Sequence, residues 1–289
     1  MKSKKIKTIM VTALTGCILL SVTVVASANG SSGYETYKSA VKNIANTDNA
    51  TFSTSFEVKD NGNTNTSGTS VEKLENSNNS SITNTKNGDV TKESETSRID
   101  GKTIVKDGED YYSRDSKIKE KNGKIEKKFD DSSSKGKLEE MVLDTLVGDV
   151  KNQFVVDGDT ISVNLEGAQI PELAKLAISA AAEEKNNKKD NKKGESGKDG
   201  LKESLSSIPN LKNIDIKSLS MTAKVNGSTL TDNSFKIVIT GDDESGVSHE
   251  IEVSTNTEIS DVNSTKADSI DTTGKQVQAM QNEENNKQD

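Results

Sequence analysis

The chain has 289 residues, a formal net charge of −8, 3% aromatic residues, one histidine, one cysteine and no tryptophan. An acidic body lacks the charge that neutralises nucleic-acid phosphates, and scarce aromatics remove the platforms on which bases or sugars stack. A single histidine and a single cysteine also rule out a multi-histidine or multi-cysteine zinc site, while the length admits one large domain that needs no disulfide.

The N-terminus reads as an export signal. Lys2, Lys4, Lys5 and Lys7 form a basic head, Ile9 to Ala28 is uncharged and largely apolar, and the run closes on Ala26-Ser27-Ala28. Basic head, apolar middle and small-x-small exit are the pattern of a secretory signal peptide over residues 1–28. Cleavage after Ala28 would release the remainder. Leu14-Thr15-Gly16-Cys17 also matches a bacterial lipobox, which makes Cys17 a candidate lipidation site, although Ile18-Leu19-Leu20 would then follow the anchor where a polar tether is expected. In a third reading the run stays uncleaved, being long enough to cross a ~30 Å hydrocarbon core as a helix. As an incidental residue of the apolar run, Cys17 has no role at all. Lysine supplies all basic residues but Arg98 and Arg114. With abundant Asn, Ser, Thr and Ile, this usage suggests an AT-rich Gram-positive source and a secreted or cell-envelope location.

Residues 29–262 are expected to form one α+β domain. Tyr34, Tyr37, Val41 and Ile44 recur at helical spacing. Phe52, Thr54, Phe56 and Val58 alternate, as in a strand with one buried face. From Asn61 to Ser97 the chain is dense in Ser, Thr and Asn, and only Val71, Leu74, Ile82 and Val90 could be buried there. This stretch reads as long polar hairpins or partial disorder. Asn61-Gly62, Asn87-Gly88, Asp107-Gly108, Asp157-Gly158 and Asn226-Gly227 favour hairpins, because such steps tolerate the positive φ of tight turns. Thr103 to Gly108 and Gln153 to Gly158 resemble each other and read as equivalent hairpins.

The middle is expected to be helical. Leu138, Met141, Val142, Leu146 and Val150 form one stripe, and Pro171 opens a second helix carrying Leu173, Leu176, Ala177 and Ala180. Ile161, Val163 and Leu165 alternate between them. Residues 185–200 are a Lys/Asn-rich loop, read as a solvated insertion; the competing reading is an electrostatic contact with anionic lipid or wall polymer. Three further alternating runs follow: Leu219 to Val225, Phe235 to Ile239, and Val247 to Val253. Residues 263–289 are expected to be a polar, disordered tail.

Catalytic options are few. His249 lies in phase with Val247 and Ile251, which points to a hydrogen-bonded histidine at the edge of a sheet core, with a pH-sensing role as the alternative. No G-x-S-x-G surrounds any serine, and Gly194-Glu195-Ser196-Gly197-Lys198 has the wrong spacing for a phosphate loop. Adjacent acids such as Glu139-Glu140 and Asp242-Asp243-Glu244 read as solvated faces, without the ligand spacing of a calcium loop. No enzymatic activity, cofactor or metal is expected.

The opening helix, Tyr34-Glu35-Thr36-Tyr37-Lys38-Ser39-Ala40-Val41, followed by Phe52 to Val58 as first strand, resembles the LolA-like lipoprotein-carrier superfamily in architecture. The resemblance implies a curved antiparallel sheet with several helices packed on one face, and acyl chains held between the two. On that reading Phe52, Phe56, Leu138, Met141, Leu173, Leu176, Phe235 and Ile237 would line a lipid-like ligand, though for any one of them ordinary core is the stronger reading. The polar strands from Asn61 to Ser97 depart from the pattern, since they cannot furnish a continuous apolar wall. Two functions therefore stand: a non-catalytic envelope protein that binds a hydrophobic ligand, or an interaction module that contacts another envelope protein or the wall. The protein is expected to act as a monomer, touching the membrane only through its signal or anchor.

Overall fold

Alternation in the sequence becomes a single sheet of twelve strands. The computed structural model describes residues 32–115, 148–172, 175 and 209–280. The chain begins with α1 (Ser32–Ala45), then runs through β1 (Asn49–Asp60), β2 (Asn63–Glu75), β3 (Asn78–Asn87), β4 (Val90–Ile99), β5 (Lys102–Asp107) and β6 (Asp110–Asp115). After a 3-10 turn at Gly148–Gln153 come β7 (Val155–Asp157), β8 (Thr160–Glu166), β9 (Lys212–Asn226), β10 (Thr229–Asp242), β11 (Ser248–Ser260) and β12 (Val277–Ala279). The spatial order is β12-β6-β5-β4-β3-β2-β1-β11-β10-β9-β8-β7. Two meanders, β1 to β6 and β7 to β11, thus join through the antiparallel β1–β11 pair. Among the described strands only β12 is parallel to its neighbour, β6.

The expected architecture of several helices on one face is overturned. Among the described residues one helix, α1, packs on the sheet, against β7 to β10. The stripe from Leu138 to Leu146 and the apolar residues after Glu172 lie outside the described residues, as does the 185–200 loop. Val150, read as the end of a helical stripe, instead belongs to the 3-10 turn. Pro171 does open a helical turn, with the Lys175 N–H donating to its carbonyl at 3.2 Å.

The polar stretch from Asn61 to Ser97 forms β2, β3 and most of β4. Each of these strands is paired on both sides, so its backbone groups are satisfied whatever its side chains are. Threonine suits a pleated surface through its branched Cβ, and cross-strand hydroxyl pairs replace apolar contacts. The Ser70 and Thr83 hydroxyls are 3.0 Å apart. The two similar hairpins also share one turn geometry. Asp107 pairs with Asp110 and Asp157 with Thr160, around Gly108 at φ +61 and Gly158 at φ +62.

The expected disordered tail is corrected as well. Residues from Asp261 to Met280 run across the outer face of the sheet along one row of cross-strand partners, Thr51, Lys73, Ser80, Ser97 and Ile104. Thr265 Oγ1 lies 2.9 Å from Thr51 Oγ1. Asp268 forms an ion pair with Lys73 at 2.8 Å, its N–H donates to Ser80 Oγ, and its carbonyl accepts from Ser97 Oγ, each also at 2.8 Å. The strap ends as β12 on the edge of β6, where Met280 N–H donates to the Ser113 carbonyl. It has no apolar periodicity because hydrogen bonds, not burial of a greasy stripe, hold it.

The core sits between α1 and the inner face of β8, β9, β10, β11 and β1. Tyr37, Ala40, Val41 and Ile44 of the helix meet Ile161, Val163, Leu165, Met221, Ala223, Val225, Leu230 and Ile259. The Tyr34 ring meets Phe154 edge-on at 5.3 Å.

Candidate functional site

Residues paired across antiparallel strands project to the same face, so the register sorts the inner face into rows. One row holds Phe56, Thr255, Phe235 and Met221. The next holds Val58, Val253, Ile237 and Leu219. Of the residues expected to line a ligand, Phe56, Phe235 and Ile237 are therefore neighbours on one apolar floor, and Phe52 lies two rows from Phe56 beside Ile259. Phe52 and Phe56 are buried, while Phe235 and Ile237 are half-buried against the core. Leu138, Met141, Leu173, Leu176 and Cys17 lie outside the described residues. An open, shallow depression of about 410 Å³ lies instead on the outer face, between the Ser55, Asn256, Ser234, Thr222 row and the Glu57, Ser254, Lys236, Ser220 row, over the backbone of Phe56, Thr255, Phe235 and Met221.

Phe56 owes its position to a glycine. It is paired with Gly68 on β2, and a Cβ built there would fall 2.6 Å from the Phe56 ring and 2.4 Å from the Asn84 carbonyl oxygen. The ring lies in the space that any larger residue at position 68 would occupy.

Between the Phe52 and Phe56 rows the inner face is polar. Ser94, Thr83, Ser70, Thr54, Thr257 and Asn233 form one continuous row across six strands. All but Thr83 are buried. The row is partly self-satisfied: Thr54 and Thr257 hydroxyls are 2.9 Å apart, and Tyr37 of α1 donates its hydroxyl to Asn233 Oδ1 at 3.1 Å. Beyond β1 only the Ser70–Thr83 pair of this row is satisfied in the same way. Thr66 Oγ1, Ser94 Oγ and Thr96 Oγ1, all on the inner face of the β2–β4 half, are buried without a hydrogen-bond partner. A buried polar atom left unpaired costs about 1–3 kcal/mol, so several on one wall need a reason.

This wall is not legible in the sequence, because hydroxyls at alternate positions of β2 to β4 carry no signal of which face they take. The register supplies it.

At the rim of the sheet His249 occupies the edge position expected for it. Its Nδ1 lies 2.9 Å from both oxygens of Asp60, and its Nε2 lies 3.6 Å from Asp243 Oδ2. Hydrogen bonding to Asp60 raises the imidazole pKa above its ordinary value, against a smaller opposing effect of burial. Asp243 is held below the usual carboxylate range, first by the Val247 backbone N–H that it accepts and also by that of Ser245. This hydrogen-bonded corner pins the β10–β11 turn to the end of β1. Among the described residues no group of three His, Cys, Asp or Glu side chains could hold a metal ion. Nor is any described helix long and apolar enough to cross a membrane.

No family model matches the chain, and no curated protein matches it. Among solved structures, a protein described as a thioesterase II from Thermobifida fusca YX aligns over 82% of this chain and 88% of its own, at 9% identity and a TM-score of 0.10. A likeness at that level carries no argument about fold or activity.

Proposed function

We propose that this is a non-catalytic, extracytoplasmic binding protein whose inner sheet face receives a ligand with an apolar body. One observation supports the reading above the others: the inner face carries buried hydroxyls at Thr66, Ser94 and Thr96 that no protein group satisfies. A surface meant only as core would pair these groups or replace them with aliphatic ones. A surface that meets a ligand keeps both chemistries, the apolar floor around Phe56, Phe235 and Ile237 for the body and the hydroxyl wall for a polar part. The extracytoplasmic setting rests on the basic head, apolar run and Ala26-Ser27-Ala28 exit of residues 1–28.

Native mass spectrometry of the protein purified from its own host tests the reading, coupled to solvent extraction of whatever travels with it. Co-purifying acyl species in stoichiometric amount are expected. A clean apo mass, together with no binding of a fluorescent fatty-acid analogue, would remove the binding role and leave a contact module in its place.

A further inference from the structure

Arginine is the rare cation of this chain. It occurs twice, at Arg98 and Arg114, in a protein with 36 lysines. The fold brings both to one place. Arg98 on β4 is paired with Thr103 on β5, and Thr103 is paired with Arg114 on β6. The two arginines are thus members of a single row on the inner face, separated by one strand. With neighbouring strands ~4.8 Å apart, their Cα atoms are roughly 10 Å from each other, well within the combined reach of two arginine side chains.

Neither arginine is explained by an ion pair. Among the described residues, none forms a salt bridge or hydrogen bond with either side chain, although both are only partly exposed. Arg98 Nε is itself buried without a partner. Among the described residues, the acid nearest to them on that face by register is Glu72, one row along and two strands from Arg98. Asp107 and Asp110 lie two rows away, and Asp115, next to Arg114 in the chain, projects to the opposite face. The row is at the rim: Arg98 stands one residue from the end of β4, and Arg114 one residue from the end of β6. Two like charges one strand apart, with no counter-charge among the described residues, repel, so an unfilled site of this kind costs stability.

We infer that Arg98 and Arg114 form an anion-binding site, and that its ligand presents a phosphoryl group at the rim of the inner face. A guanidinium offers a planar pair of donors that matches two oxygens of a phosphoryl group, which an ammonium cannot reproduce. That difference accounts for arginine at these two positions in a chain that uses lysine at every other basic one. Thr96, one row deeper, adds a buried hydroxyl with no partner beside the pair. The inference rests on the inner face being a ligand surface but not on the ligand being a lipid. A free phosphate and the headgroup of a phospholipid share the chemistry.

The two arginines give a direct readout, because the arginine Nε–Hε region of a proton–nitrogen NMR spectrum holds only their two resonances. Intact protein is titrated with inorganic phosphate, with short-chain phosphatidylglycerol below its micellar concentration, and with chloride at matched ionic strength. Saturable shifts of both resonances are expected with phosphate and with phosphatidylglycerol but not with chloride. Binding at least tenfold tighter for phosphatidylglycerol identifies a lipid headgroup; equal affinity identifies a free phosphate. Arg98→Lys and Arg114→Lys each keep the charge and should each weaken phosphoryl binding about tenfold, with the tyrosine circular dichroism of the fold retained. Arg98→Gln serves if a lysine variant does not fold. Shifts that follow ionic strength alone, or lysine variants that bind as tightly as the wild type, overturn the site. If phosphate binds while no acyl species co-purifies with the protein, the anion site stands and the apolar ligand does not.

Discussion

His249 Nδ1 sits 2.9 Å from both carboxylate oxygens of Asp60, and this pair joins the start of β11 to the end of β1 across 189 residues of sequence. Hydrogen bonding to Asp60 raises the histidine pKa in the folded state. A raised folded pKa means that folding favours the protonated form. The stabilisation is fully present below the unfolded histidine value of about 6.5 and is lost as pH rises through the folded value. The melting temperature is therefore expected to fall as pH rises above about 6.5, and His249→Gln should flatten that slope. Calorimetric scans of both proteins across that rise check it; an unchanged slope in the variant would assign the pH dependence to other groups.

Gly68 is expected to be the least replaceable residue of β2. A Cβ there meets the Phe56 ring at 2.6 Å and the Asn84 carbonyl oxygen at 2.4 Å, and the second contact is backbone that cannot swing aside. Gly68→Val should destabilise the protein by about 1–3 kcal/mol, the usual cost of overpacking. Denaturant unfolding measures this, with Thr69→Val on the opposite face as the control that should change little.

Tyr37 and Asn233 tie the helix to the polar row beneath it. Asn233 is 2% exposed and accepts the Tyr37 hydroxyl at 3.1 Å. Tyr37→Phe keeps the ring and removes that donor, at an expected cost of about 1–3 kcal/mol for the buried acceptor that loses it. The cycle with Asn233→Leu tests the coupling: the two substitutions together should cost less than the sum of each alone.

Removal of residues 264–289 should loosen the N-terminal meander rather than the core under α1. The strap satisfies Thr51, Ser80 and Ser97 on the outer face and covers the edge of β6. Truncation leaves that edge unpaired, and exposed edges recruit other chains. Hydrogen exchange is expected to accelerate at Tyr111 to Ser113 and around Ser80, with concentration-dependent association by light scattering. Protection unchanged at those amides would show that the strap is dispensable.

Much of the sheet was legible from local pattern. The alternations in Phe52 to Val58, Ile161 to Leu165 and Leu219 to Val225 each mark a strand with one buried face, and the Asn-Gly and Asp-Gly steps mark their turns. The helical stripe of Tyr34, Tyr37, Val41 and Ile44 corresponds to the face that α1 buries. The polar strands were legible only through the turn steps that favour hairpins, and the strap not at all, because their stability comes from backbone pairing and hydroxyl bonds that leave no apolar period.

By itself the sequence determined which residues alternate, where the chain turns, and that it commands two arginines and one histidine. Those are properties of neighbours along the chain. Which strand lies beside which, and in what register, was decided only by the tertiary structure, because pairing depends on contacts between residues far apart in the chain. A shift of one residue in the β4–β5 register would send Thr103 to a different partner and dissolve the Arg98, Thr103, Arg114 row. The same holds for the hydroxyls of Thr66, Ser94 and Thr96, whose burial on one wall is a consequence of register and not of composition.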